Sequence, residues 1–271
     1  MRMKKRRYTF LLGLFFTVVI YAAEGDNYSF ILQKESDSTI VESLKDFPYK
    51  MGVLSLKDSC IDMGIIHNTE TKIRTISLHN SSDKSVSVMF DRVPAFIELS
   101  ERQFKIAPNK SKEIVLTYNA NKKKDWGELK DRVMLIIDNS REVQNNILIK
   151  ANIKEDFLKW TSEQLENAPK FYIENTHFDI GNISNKKKIK HHISIENKGK
   201  STLIIRKIIS SCSCTHASVK NKNLDIGERT YIDVVFNPKG KRGKQHKSIT
   251  LITNDPKNEI VVIDIKGNIV R

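Results

Sequence analysis

The chain has 271 residues, with 46 Lys/Arg against 32 Asp/Glu and a formal net charge of +14. That length allows one or two domains and excludes a large multidomain assembly. The charge points toward an acidic or polyanionic partner before any motif is read.

At the amino end, Arg2, Lys4, Lys5, Arg6 and Arg7 form a positive head, and Phe10 to Ile20 is an apolar run. Tyr21-Ala22-Ala23 supplies small residues ahead of Glu24. This is the layout of a secretory signal over residues 1–23, cleaved after Ala22 or Ala23. The apolar run is shorter than the roughly 20 residues of a membrane span. Left uncleaved, the same segment would be an N-terminal anchor and the one route to membrane contact. No cysteine lies near the cleavage point, so a lipoprotein anchor is unsupported.

Export changes the meaning of the charge. Five positives sit in the leader. Residues 24–169 carry 21 Lys/Arg and 23 Asp/Glu, whereas residues 170–271 carry 20 against 9. The basic excess therefore belongs to the last hundred residues. Outside the cell nucleic acid is a poor partner. A protein or an envelope polyanion, such as lipopolysaccharide, capsule or phospholipid, is the better expectation. A merely solvated basic face is the plain alternative.

Residues 24–48 are polar and weakly patterned, an arm in which 38–47 has room for a short helix. From Met51 the pattern has period two. Ile73 to Leu78, Val86 to Val88, Glu113 to Tyr118 and Val133 to Ile137 are runs of strand length, separated by Asn80-Ser81-Ser82-Asp83, Ala107-Pro108-Asn109-Lys110 and Asp138-Asn139-Ser140. Residues 49–153 thus make a first all-β domain. Residues 154–169 break the pattern. Phe157, Leu158, Trp160 and Leu165 recur at helical spacing before Pro169, which predicts a linker helix whose apolar stripe packs on a domain and fixes the angle between the two.

Residues 170–271 then repeat the first domain. Ile61-Asp62-Met63-Gly64 matches Phe178-Asp179-Ile180-Gly181, and Ser77-Leu78-His79-Asn80 matches Ser194-Ile195-Glu196-Asn197, both at an offset of 117. The offset is 118 where Tyr118 meets Phe236, and 116 where Lys150-Ala151-Asn152 meets Lys266-Gly267-Asn268. Drifts that small are loop insertions, and a period this long means tandem domains. Short strands with turn signals indicate two β-sandwiches of seven or eight strands each.

Chemistry is scarce. No nucleophile elbow, phosphate loop, paired metalloprotease histidines or cofactor motif is present. Asp62 and Asp179 each precede a hydrophobic-Gly step, which favours a turn role over catalysis. The remaining candidate is Ser211-Cys212-Ser213-Cys214-Thr215-His216. Three readings compete: a disulfide, which needs a turn because alternate strand residues lie about 6.5–7 Å apart; a Cu(I) or Zn site using Cys212, Cys214 and His216, with His191, His192 or His246 as a remote fourth ligand; and small buried free thiols. The first copy has Val93-Pro94-Ala95-Phe96-Ile97 at the same place, and its lone Cys60 aligns with His177. Two basic clusters flank strands of the second copy: Lys186, Lys187, Lys188 and Lys190, then Lys241, Arg242, Lys244 and Lys247. At the same end of the domain they would make one anion-attracting surface.

Phe178-Asp179-Ile180-Gly181, Asn197-Lys198-Gly199, the cysteine motif, Asp225-Ile226-Gly227-Glu228, Val235-Phe236-Asn237-Pro238 and Thr253-Asn254-Asp255-Pro256 follow in an order that resembles the bacterial domain of unknown function 1573, common in exported proteins of Bacteroidetes. That family is similar to the immunoglobulin-like domains of the major sperm protein and abnormal-spindle type. The resemblance covers Phe171 to Val270, implies an immunoglobulin-like sandwich and implies no activity. The family motif usually has Gly between its cysteines, where Ser213 stands here. Three functions are therefore expected in turn: a non-catalytic binding or scaffolding protein of the cell envelope, periplasmic or surface-associated; a metal or thiol-redox protein; and a periplasmic chaperone, because pilus chaperones have two tandem immunoglobulin-like domains and a basic anchor in the cleft between them.

Overall fold

The computed structural model describes residues 7–11, 16–21, 29–34 and 46–270. The first three segments are β1 (Arg7–Leu11), β2 (Phe16–Tyr21) and β3 (Ser29–Lys34), which pair antiparallel in a sheet of their own. The leader's cleavage point and nearly all of the helix expected over 38–47 fall outside the described residues. No helix among those residues is long and apolar enough to cross a membrane.

The first domain contains β4 (Tyr49–Met51), β5 (Leu54–Leu56), β6 (Cys60–His67), β7 (Thr71–Asn80), β8 (Val86–Asp91), β9 (Ile97–Leu99), β10 (Gln103–Ile106), β11 (Ser111–Asn119), β12 (Gly127–Ile137) and β13 (Ser140–Lys154). They form two five-stranded sheets, β10-β8-β12-β13-β6 and β4-β5-β7-β11-β9. Alternate residues point into the space between the sheets. Ile76, Leu78, Ile114 and Leu116 from one sheet meet Val88, Val133, Leu135 and Ile149 from the other, all essentially inaccessible to solvent.

The second domain contains β14 (Phe171–Ile173), β15 (His177–Ser184), β16 (Ile189–Asn197), β17 (Leu203–Ser210), β18 (Thr215–Val219), β19 (Asn223–Leu224), β20 (Arg229–Phe236), β21 (Gly243–Thr253) and β22 (Ile260–Val270). Its sheets are β14-β16-β20-β18 and β15-β22-β21-β17-β19. These orders reproduce those of the first domain strand for strand, with β4 as the single addition there. The core is again two inward faces, Ile193, Ile195, Ile232 and Val234 against Leu203, Ile205, Ile249, Leu251 and Ile263. Each domain thus has more strands than the seven or eight expected. The extra ones are edge strands such as β4, β9, β14 and β19, whose two or three residues are too few to show a period. The parallel pairings of β6 with β13 and β15 with β22 were likewise invisible to periodicity, which carries no direction.

One buried asparagine closes the same end of each domain. Asn197 is fully buried. Its amide nitrogen donates to the carbonyls of Ser201, Leu224 and Asp225 at 2.8, 3.0 and 3.3 Å, and its oxygen accepts from the Gly199 and Lys170 amides. Asn80, equally buried, donates to Lys84, Ile106 and Ala107 carbonyls at 2.7, 3.0 and 3.2 Å and accepts from Ser82. An amide side chain carries both donors and an acceptor, so one residue satisfies backbone groups from separate loops. Gly199 belongs to this clasp for a steric reason: a Cβ there would meet the Lys170 nitrogen at 2.3 Å. Asp255 finishes the seam by accepting from the Phe171 amide at 2.8 Å.

Between the domains the helix expected over 154–169 is two short turns, a 3-10 turn at Phe157–Lys159 and a helix at Ser162–Glu166 capped by Thr161. Its apolar stripe packs on neither domain as a whole, since Leu158 is 84% and Leu165 45% exposed. Other residues hold the angle. The register of β17 against β21 slips between Ile205 and Lys207, and such a bulge re-aims side chains. Arg206 makes a bidentate ion pair with Glu155, at 2.8 and 3.0 Å, over the Trp126 ring. Lys207 binds Asp125 at 2.7 Å and the Trp126 carbonyl at 3.1 Å. Gly127 lies so close to Ile252 that a Cβ would approach it to 2.6 Å.

Two outcomes follow from the buried polar groups. Asn197→Ala leaves several buried carbonyls without a donor and is expected to lower unfolding free energy by about 3 kcal/mol in urea titration. Burial of the His79 ring, stacked on Phe47 and bonded to Ser111, pushes its pKa down. The unfolded chain then binds a proton that the folded one resists. Stability is full above the ordinary histidine value of about 6.5 and falls as pH drops through it. The melting temperature should decline from neutral pH toward pH 5 less steeply in His79→Gln than in the parent.

Candidate functional site

Ser211 to Cys214 form a turn between β17 and β18, closed by the Thr215 amide donating to the Cys212 carbonyl at 3.2 Å. The turn brings the two cysteine Cα atoms to 5.2 Å, and the sulfurs are bonded to each other. A regular strand holds alternate residues further apart, so the turn is what permits the bond. Ser213 is not among the residues with positive φ, so the turn does not require the glycine usual in the motif. Cys214 packs against a small cluster of Ile183, Phe236 and Ile269, while the buried Thr215 hydroxyl lies 3.5 Å from the Cys212 sulfur.

The metal reading loses its ligands here. Both sulfurs are consumed by the bond, and His216 is exposed on the outer face of β18. His191 packs edge-on against Phe178, His192 pairs with Asp233 at 2.5 Å, and His246 with Asp264 at 2.7 Å. Among the described residues no three His, Cys, Asp or Glu side chains converge as a metal site. The reading as buried free thiols is also replaced, since the residue left unbonded is Cys60, half-buried in the first domain.

Strand register gathers the basic clusters around this turn. Ile189 and Thr215 both face Phe236, while Ser184 and Gly243 face Val270 and Ile269. Loops 185–188 and 237–242 therefore emerge at the same end as the disulfide. Lys186, Lys187, Lys188, Lys241 and Arg242 lie in those loops. Lys190 is the second residue of β16 on one sheet, and Lys244 and Lys247 lie in the first half of β21 on the other. None of these cations forms an ion pair among the described residues, in contrast to Arg206, Lys207 and Arg229.

The recurring aspartates have a structural task. Asp179 accepts from the Gly181 amide at 2.8 Å, and Asp62 from Gly64 at 2.7 Å. Both glycines have positive φ, and in both domains the parallel pairing shifts register at this point. The bulge lifts the edge strand and leaves a shallow groove. In the second domain it measures about 480 Å³ and is lined by Asp179, Asn182, Lys244, His246, Lys266 and Asn268. Its counterpart in the first domain, about 460 Å³, is lined by Asp62, Glu128, Lys130, Lys150 and Asn152.

The first domain's equivalent end is differently furnished. The Phe96 carbonyl accepts from Asn119 at 2.9 Å, as the Cys214 carbonyl accepts from Asn237 at 2.8 Å. Phe96 thus occupies the place of Cys214, and its ring packs edge-on against Tyr118. That end is also occupied by the second domain through Asp125, Trp126 and Glu155. Among the described residues the disulfide end of the second domain meets no such neighbour.

Comparison with known proteins supports this architecture. Residues 171–269 match the model of the family described as "Protein of unknown function (DUF1573)". Residues 55–151 match a model described only as a "-like, C-terminal domain". A search of curated proteins finds no match. A protein of unknown function from Porphyromonas gingivalis W83 superimposes with a TM-score of 0.55 at 17% identity, covering 80% of this chain and 100% of its own. An ASH/PapD-like domain of human CEP192 gives 0.34 at 11% identity over 42% of this chain and 92% of its own. The YadV chaperone gives 0.29 at 14% over 80% and 99%. The first shows a shared fold; overlaps as loose as the other two carry no functional weight. The second domain thus matches that family's model, while the first matches a different model and shares its strand order.

Alkylation of the native protein should label Cys60 alone. Labelling of Cys212 and Cys214 should appear only after reduction, and the tryptic peptide that holds both should be lighter by two hydrogens before it.

Proposed function

We propose that this protein is an exported, non-catalytic binding module of the cell envelope, and that the disulfide end of its second domain is the surface that meets an anionic envelope partner. The observation that carries the reading is the convergence of two basic loops on either side of the Cys212–Cys214 turn. Unpaired lysines on neighbouring loops sum their fields, and a polyanion gains from all of them at once. Export rests on the leader-like order of Arg2 to Ala23. The absence of catalysis is supported by the two recurrent carboxylates, which are engaged by the bulge amides.

The chaperone reading ranks below it. The cations that bridge the domains among the described residues, Lys154, Arg206 and Lys207, each pair with a carboxylate, so none is free to grip a partner's terminus. The redox reading retains a half-exposed disulfide, but His216 does not reach it.

Co-sedimentation with lipopolysaccharide tests the proposal. The parent should bind, and binding should weaken as salt rises from roughly 50 to roughly 200 mM. A variant with Lys186, Lys188, Lys241 and Arg242 all changed to Ala should bind about tenfold or more weakly, given roughly 1 kcal/mol per charge at an anionic surface. Equal binding by the two proteins at low salt would overturn it.

A further inference from the structure

A sandwich has exposed strand edges, and each is a template for another chain unless something blunts it. The described edges differ in how they are blunted. β4, β9 and β14 have three residues and β19 has two. β10 has four. β6 and β15 are eight long, but the Asp62–Gly64 and Asp179–Gly181 bulges break them in the middle. β18, Thr215–Val219, has five residues in unbroken register with β20.

The ladder shows which backbone groups of β18 are free. The Asn237 amide donates to the Cys214 carbonyl, opposite it in the antiparallel pair. Residues of such a pair alternate between facing the partner strand with their polar groups and facing away. His216 and Ser218 therefore face β20, while Thr215, Ala217 and Val219 turn theirs outward. Thr215 uses its N–H on the Cys212 carbonyl. Among the described residues the amides of Ala217 and Val219 have no comparable partner, nor do the outward carbonyls. The disulfide turn sits immediately before this row and fixes where it starts.

Charge narrows the occupant. No Asp or Glu occurs from Asn197 to Leu224. The strand and the turn after it carry His216, Lys220 and Lys222, all exposed. The nearest carboxylate on the adjacent strand, Asp233, is held by His192 at 2.5 Å. Tyr231 beside it is 58% exposed and offers an apolar platform. The first domain has no counterpart, since β9 is shorter and Glu98 within it pairs with Lys122.

We propose that β18 is a docking edge that adds an extended, acidic segment of a partner protein as a further strand of the β14-β16-β20-β18 sheet. Main-chain bonds to Ala217 and Val219 supply the pairing. The lysines at 220 and 222 select acidic side chains that alternate with β-branched ones. This goes beyond the basic-end reading and uses a different surface, so the two stand or fall separately.

The probe is a fluorescein-labelled nine-residue peptide of alternating Glu and Val, with a Lys/Val peptide as its counterpart, titrated into the full-length protein. The Glu peptide should bind at least tenfold more tightly than the Lys peptide. Ala217→Pro removes an outward N–H without touching the β20 ladder, a change tolerated on edge strands. It should weaken binding of the Glu peptide at least tenfold and leave lipopolysaccharide binding unchanged. The four-charge variant at residues 186, 188, 241 and 242 should show the opposite preference. In the parent, hydrogen exchange at the Ala217 and Val219 amides should slow on peptide addition, a readout that does not depend on any variant folding. No binding of the Glu peptide, no protection at those amides, or full affinity in a folded Ala217→Pro protein would overturn the proposal.

Discussion

The constraint on which both domains depend is the need to satisfy main-chain groups where loops cross the mouth of the sandwich. Those loops carry buried and part-buried carbonyls, and an unpaired buried carbonyl costs about as much as several surface contacts contribute. Asn197 and Asn80 solve the problem identically, each donating to three carbonyls from two loops. Because the clasp fixes where β16 ends, it fixes its register against β20. That register in turn delivers loops 185–188 and 237–242 to the disulfide turn at the other end. The surface chemistry of one end is thus set by polar burial at the opposite one.

Much of this was legible in the sequence. The long β-rich runs of both copies are strands, and the repeat of Asp62 in Asp179 marked a place where a backbone, not a reaction, needed a particular side chain, whereas the clasp role of Asn80 and Asn197 was not read from their repeat. Three things were not legible. Two- and three-residue edge strands show no period. The linker's apolar spacing mimicked a packed helix, yet Leu158 faces solvent because the domains meet through Arg206 and Lys207 instead. No local signal announces a bulge at Arg206, since it arises from the pairing of β17 with β21. At the candidate site the spacing of Cys212 and Cys214 left three chemistries open, and only the turn geometry separates them.

The two copies have diverged where they differ in neighbours. Facing the second domain, the first has Phe96 and Trp126, which pack with Tyr118 and under Arg206. At its other end the second has a disulfide turn and lysines that form no ion pair among the described residues. The cores, clasps and bulges are shared, whereas the ends are specialised. The basic excess of the carboxy-terminal half follows the same division.

The Arg206–Glu155 and Lys207–Asp125 pairs set a direction for the whole molecule. Because they seat the second sandwich on the loop end of the first, the first domain's own tip is built into the junction. Two sandwiches of one topology therefore present unlike ends: one is built into the junction between them, and the other carries the disulfide turn.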